Sequence, residues 1–234
     1  MNTEVTPEII EHLDLVLEGH KRVYCETDAV KWTNESNIYW NNAMFDLFDY
    51  GIGQIDMTDH PNRGLFWVKL QSKENPGVVI FASTAHFPWS GSAQETEFYM
   101  NQRIPCCLKV AELLKHALLI DPRISSVIFA GDFNDDFHPI RVLYQQSQLM
   151  DVFEALDMPP PMTHPVRPSD PEEEKRPNRT IDWITFMENK GCTPLGAFVK
   201  PVRSNPQGGW VPPSDHMPVI AFFDFFPDLK PTTL

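Results

Sequence analysis

The run Val78–Ala85 (VVIFASTA) does most to limit what this chain can fold into. A strand that is apolar at consecutive positions, rather than at alternate ones, is buried on both faces and needs cover above and below it. Val127–Ala130 (VIFA), closed by Gly131, reads as a second central strand. Leu65–Leu70 alternates like a half-buried strand, and Asn37–Trp40, Phe45–Phe48, Thr180–Met187 and Val219–Phe226 add further strands. Pro7–Glu18 predicts a helix with Ile9, Ile10, Leu13, Val16 and Leu17 on one face, Thr6 as N-cap and Pro7 in the first turn. A second helix is expected within Asn101–Leu119, starting near Pro105, with Leu108, Ala111, Leu114 and Leu118 turned inward. Met158–Arg179 is rich in Pro and Glu without periodicity, as in a long loop. Strands mixed with a few helices, without strict β-α alternation, point to an α+β fold: two packed β-sheets with helices outside, in one domain spanning 1–234.

Composition narrows the function classes. The 42% hydrophobic share, with 16 Phe and 6 Trp, sustains a substantial core and argues against disorder. A formal net charge of −13 and no basic stripe argue against a duplex-binding surface, while suiting a site that gathers carboxylates around a divalent cation. No apolar run is long enough to span a membrane, and Met1–Glu8 is too polar for a secretory signal. The four cysteines, Cys25, Cys106, Cys107 and Cys192, lack CxxC spacing. They read as thiols in a reducing, cytoplasmic compartment, and a zinc enzyme built on paired Cys and His is disfavoured. A monomer is expected.

Four stretches place polar side chains against the ends of apolar strands, where a rigid scaffold can hold them in a common cleft. Gly131-Asp132-Phe133-Asn134 follows VIFA; on extended backbone Asp132 and Asn134 share a side and Phe133 takes the other. Ser214-Asp215-His216 precedes the strand MPVIAFF. Asp182 sits inside the apolar strand TIDWI, and a buried carboxylate needs a partner, for which His216 is the natural choice. His86 closes the strand that ends Thr84-Ala85-His86. Each stretch alone has an ordinary structural explanation. Their combination does not.

In this order, GDFN, IDWI and SDH, with the TAH stretch ahead of them, resemble the endonuclease/exonuclease/phosphatase (deoxyribonuclease I-like) superfamily, from about Glu4 to Phe226. The resemblance implies a four-layer α/β/β/α sandwich of two mixed sheets and Mg²⁺- or Mn²⁺-dependent hydrolysis of phosphate esters, chiefly of phosphodiesters. Thr3-Glu4-Val5-Thr6-Pro7 looks like the segment carrying the family's main metal ligand, so Glu4 is assigned to the metal, with Asp215 as a further contact. Asp132 would orient the attacking water and Asn134 a phosphate oxygen. His216, held by Asp182, would meet the phosphate or move a proton, and His86 would contact the phosphate or assist the leaving group. Arg103 would steady the cleft, although the usual Arg-x-x-Gln pattern is broken by Cys106. Trp89, His164 and Trp210 are candidates to stack on a base or sugar. The implied partner is a phosphate-ester substrate such as a nucleic acid or nucleotide; the alternative is a catalytically inactive member that binds a phosphorylated ligand or a protein partner.

One departure stands out. The family pattern opens with a core strand carrying an Asn ahead of the ligand Glu, and Met1-Asn2-Thr3 is too short to supply it. The chain therefore reads as N-terminally truncated, lacking the family's first strand, with an unpaired sheet position and weakened metal affinity as the expected results.

Overall fold

The structure, a computed structural model, describes residues 2–3, 7–55, 57, 60–91, 100–164, 179–200 and 214–227. Its centre is a six-stranded mixed sheet. In spatial order the strands are β5 (Phe45–Gly53), β6 (Leu65–Ser72), β7 (Val79–His86), β8 (Ser126–Asp132), β10 (Asp182–Met187) and β9 (Leu149–Asp151). Only β7 and β8 run parallel; the other neighbours are antiparallel. The crossover between β7 and β8 carries the helix α2 (Arg103–Ile120), as a parallel connection requires.

Both faces of this sheet are covered, as the apolar run Val78–Ala85 demands. Along β7, Val79, Phe81 and Ala85 join Cys106, Cys107, Val110 and Leu114 of α2 in one core, with Leu143 from α3 (His138–Ser147). Ile80 and Ala82 point the other way, into a second core with Trp32, Trp40, Val219 and Phe223. Period-2 alternation in one strand thus feeds two cores. No disulfide joins the cysteines, and Cys106, Cys107 and Cys192 are buried in these cores.

The second layer consists of three antiparallel pairs among the described residues. These are β1 (Asn2–Thr3) with β3 (Ser36–Asn37), β2 (His20–Arg22) with β4 (Tyr39–Asn41), and β11 (Cys192–Val199) with β12 (Val219–Phe225). β1 packs over β8 and β12 over β10. A cavity of about 350 Å³ lies between the layers, lined by Thr84, Ile128, Ala130 and Ile184 below and by Val219, Ala221 and Phe223 of β12 above. Thr84 Oγ1, buried in its wall, has no hydrogen-bond partner among the described residues.

Two predicted helix faces need correction. In α1 (Pro7–Val16) only Ile10 is buried, while Ile9 and Val16 are exposed. In α2 the helix starts two residues before Pro105, and Leu108, predicted inward, is exposed. Periodicity finds an apolar face, but the neighbouring layer sets how wide a stripe is covered. Among the described residues no helix is long and apolar enough to cross a membrane.

Candidate active site

Three of the predicted residues lie in one row across the central sheet. His86 is paired with Asp132 in the β7–β8 register, and Asp132 with Asp182 in the β8–β10 register. Directly opposed residues share a face, so all three project from the same edge of the sheet. The next residues along, Phe87, Phe133 and Trp183, turn to the helix side and enter the core there, with Phe133 stacked on Phe87 and Phe129. Gly131 makes the row possible: a Cβ there would overlap the carbonyl oxygen of Ala85 on the neighbouring strand.

Asn134 joins the row by a turn rather than by strand alternation. Its φ is 52°, and its backbone N–H donates to Asp132 Oδ1 at 2.8 Å. The side-chain amide then donates to the Phe87 carbonyl at 3.0 Å and meets His86 Nε2 at 3.1 Å. Asn134 and Asp132 do end on one side, as predicted, although the extended-backbone reason for it does not hold.

His216 reaches the row from the loop before β12. Its Nδ1 lies 2.8 and 3.0 Å from the two carboxylate oxygens of Asp182, so the predicted pairing is present. Its Nε2 lies 3.9 Å from Asp132 Oδ2, which is also 3.4 Å from His86 Nε2. One donor atom from each of Asp132, Asp182 and His216 lies within 4.8 Å of the other two.

This crowding shifts the titrations. Burial, and then the neighbouring Asp182, raise the pKa of Asp132, with His216 pulling the other way. Burial works against the imidazolium of His216, yet the hydrogen bond and charge of Asp182, helped by Asp132 and Asp215, hold its pKa up at about 9. Burial, with Arg63 and His216 nearby, pushes His86 well down, so it stays neutral. Cation and neutral base therefore flank one carboxylate.

Asp215 and His164 sit beside this centre. His164 Nε2 is 3.5 Å from Asp215 Oδ2, and its ring centroid is 4.7 Å from that of His216. Buried Thr163 fixes the arrangement: its Oγ1 accepts from the backbone N–H groups of Ile181 and Asp182, and its carbonyl from Met217 N–H at 2.8 Å.

Arg103 and Trp89 lie apart from the row. Arg103 is buried, with Nε donating to Asp135 Oδ2 at 3.0 Å and its guanidinium to the Pro88 carbonyl at 3.3 Å. Trp89 is exposed, its indole packed over Gly91. Glu4 and Trp210 fall outside the described residues.

Two partnerships were missed from sequence. Asp135, directly after GDFN, accepts from Arg103, from Asn101 and from the backbone N–H groups of Phe137 and His138 at the start of α3. Although burial opposes it, the hydrogen bonds from the His138 and Phe137 N–H groups, Asn101 and the His138 ring hold its pKa at about 2. Arg63 pairs with Glu35 at 3.2 Å, and its charge lowers the pKa of both His86 and Asp132. Asp135 was signalled by an acid just before a helix start; Arg63 had no local signal.

No protein-family model matches the chain, and no curated protein matches it in sequence. Solved structures do match. Zebrafish (D. rerio) TDP2, complexed with a single-strand DNA product, has a TM-score of 0.70 at 15% identity, over 94% of this chain and 83% of that one. A mannosyl-6-phosphatase from Bacteroides thetaiotaomicron gives 0.71 at 18% identity, over 93% and 82%. The human Nocturnin catalytic domain, with bound sulfate, gives 0.62 at 16% identity, over 94% and 76%. An endonuclease/exonuclease/phosphatase family protein from Bacteroides vulgatus also superposes, at 0.70.

The chain has the fold of the endonuclease/exonuclease/phosphatase superfamily.

Within that superfamily fold the row of His86, Asp132 and Asp182 stands on the edges of central strands, and His216 closes over it. The donors suit a hard divalent cation. Asp132 and Asp182 are directly opposed carboxylates, whose repulsion adds to burial in raising the Asp132 pKa, and Asp215 lies close by.

Proposed function

We propose that the chain hydrolyses phosphate esters, with a phosphodiester as its preferred substrate. The observation that carries this reading is the convergence of His86, Asp132, Asn134, Asp182 and His216 from strands and loops far apart in sequence. Asp215 would hold Mg²⁺ or Mn²⁺, together with Glu4, which adjoins β1 in sequence. When bound, that ion supplies charge neutralisation for the phosphoryl oxygens.

The chain's own residues divide the remaining work. Asp132, fixed through Oδ1 by the Asn134 N–H, takes the proton of the attacking water at Oδ2. Its raised pKa makes it a better proton acceptor than an ordinary Asp. The water oxygen forms the new bond to phosphorus and the ester oxygen leaves. His216 stays protonated at neutral pH and presents positive charge to the phosphate, while Asp182 fixes its ring. Asn134 ties His86 to this group, and a phosphate oxygen would take its amide N–H in place of His86 Nε2.

A small or single-stranded substrate fits best. The net charge of −13 opposes long duplexes, and the similar zebrafish TDP2 carries a single-strand DNA product. A panel with Mg²⁺ or Mn²⁺ should include single-stranded and duplex DNA, RNA, dinucleotides and inositol phosphates. Turnover is expected for dinucleotides and single strands. Binding of phosphorylated ligands with no turnover of any substrate would favour an inactive, phosphate-binding protein.

A further inference from the structure

His164, Asp215 and His216 each offer a donor atom within 4.8 Å of the other two. Two imidazoles and one carboxylate are the wrong donors for Mg²⁺, which takes oxygen, and the right ones for a borderline ion such as Zn²⁺. The surroundings are those of a metal-binding imidazole. Nδ1 of His216 is taken by the Asp182 carboxylate, leaving Nε2 for a cation, in the carboxylate–histidine–metal arrangement that fixes ring orientation and raises basicity.

The two histidines are 52 positions apart in sequence, so no local spacing announces them. They are nevertheless held on joined backbones: the Thr163 carbonyl accepts from Met217 N–H, one residue from each imidazole. Donors about 3.3–3.5 Å apart are what tetrahedral bonds of about 2.0–2.1 Å require. The His164 Nε2–Asp215 Oδ2 separation of 3.5 Å already meets this.

We propose that His164, Asp215 and His216 bind Zn²⁺ or a similar transition-metal ion, and that its binding withdraws His216 from the phosphate. The ion occupies Nε2 of His216, the nitrogen that Asp182 leaves open, so the ring can no longer donate from it to a phosphate oxygen. Zn²⁺ is then an inhibitor of the Mg²⁺-supported reaction, because it takes both His216 from the phosphate and Asp215 from Mg²⁺. Only this inhibitory consequence rests on the proposed hydrolase activity; the binding does not.

The test is calorimetric titration of metal-free protein with ZnCl₂ at pH 7.5. A Cys25→Ser background removes the thiol that is not buried. One Zn²⁺ per chain is expected. His164→Phe keeps the ring and removes both nitrogens, and should weaken binding by at least about tenfold; His164→Asn is the second variant and should do the same. In parallel, the Zn²⁺ concentration that halves each protein's own Mg²⁺-supported rate should rise by a similar factor. Unchanged Zn²⁺ affinity in both variants would overturn the proposal. His164-dependent binding in a protein that hydrolyses nothing would support the site while sinking the hydrolase reading.

Discussion

Asp132 and Asp182 face each other directly across β8 and β10, and His216 lies against both, 2.8 Å from one carboxylate and 3.9 Å from the other. Two opposed carboxylates repel, so the imidazolium is part of what lets them share a face. The row is costly to fold and useful for moving a proton.

Asp182→Asn should therefore act through His216. In metal-free protein the His216 pKa, followed by NMR titration, should fall from about 9 toward the ordinary histidine range. Turnover should fall by about 10²-fold or more as the ring loses its orientation and charge. A His216 pKa that stays put would remove Asp182 from the account.

Arg103 lies in a buried ion pair with Asp135, beneath the loop that carries Asn134. Arg103→Ala leaves that carboxylate buried without its cation and should cost about 3–5 kcal/mol. Thermal unfolding would register this as a fall in Tm on the order of 10 °C. Lost activity with an unchanged Tm would instead make Arg103 a substrate contact.

Gly131→Ala should force β7 and β8 apart at the point where His86 and Asp132 emerge, because the new methyl would meet the Ala85 carbonyl. A loss of about 1–3 kcal/mol is expected, with activity falling further than stability. Denaturant unfolding alongside kcat decides it, and wild-type values in both would be contrary.

Asp151 caps the short helix α4 (Val152–Ala155) through one carboxylate oxygen, while burial pushes its pKa up to about 6. Below the unfolded pKa of about 3.9 the residue is protonated in both states and costs nothing. As pH rises from about 4 to 6 the unfolded chain releases the proton first, so stability is lost across that window, by up to about 2–3 kcal/mol. Asp151→Asn keeps a capping oxygen and cannot ionise. Its stability relative to wild type should rise by about 2 kcal/mol between pH 4 and pH 7 in urea titrations. A pH-independent difference would refute the assignment.

Much of this was legible in the residues. The doubly apolar run at 78–85 required two covered faces, and the cost of burying Asp182 pointed to His216 as its partner. What escaped were contacts made by chain paths that no local pattern records, such as His164 beside Asp215 and Arg63 beside Glu35. Asn134 shows a subtler limit. Its side was predicted from strand alternation, but a left-handed residue bonded back to Asp132 puts it there. The exposed Ile9 and Leu108 show the same gap between a helix's apolar period and the breadth of its packing.

The most direct test is the turnover of Asp132→Asn on a generic phosphodiester with Mg²⁺, measured beside its Tm. The account predicts a fall of about 10²-fold or more in kcat, with a Tm unchanged or raised, since a buried carboxylate opposed to Asp182 has been removed. Near wild-type turnover in a folded Asp132→Asn protein would contradict it.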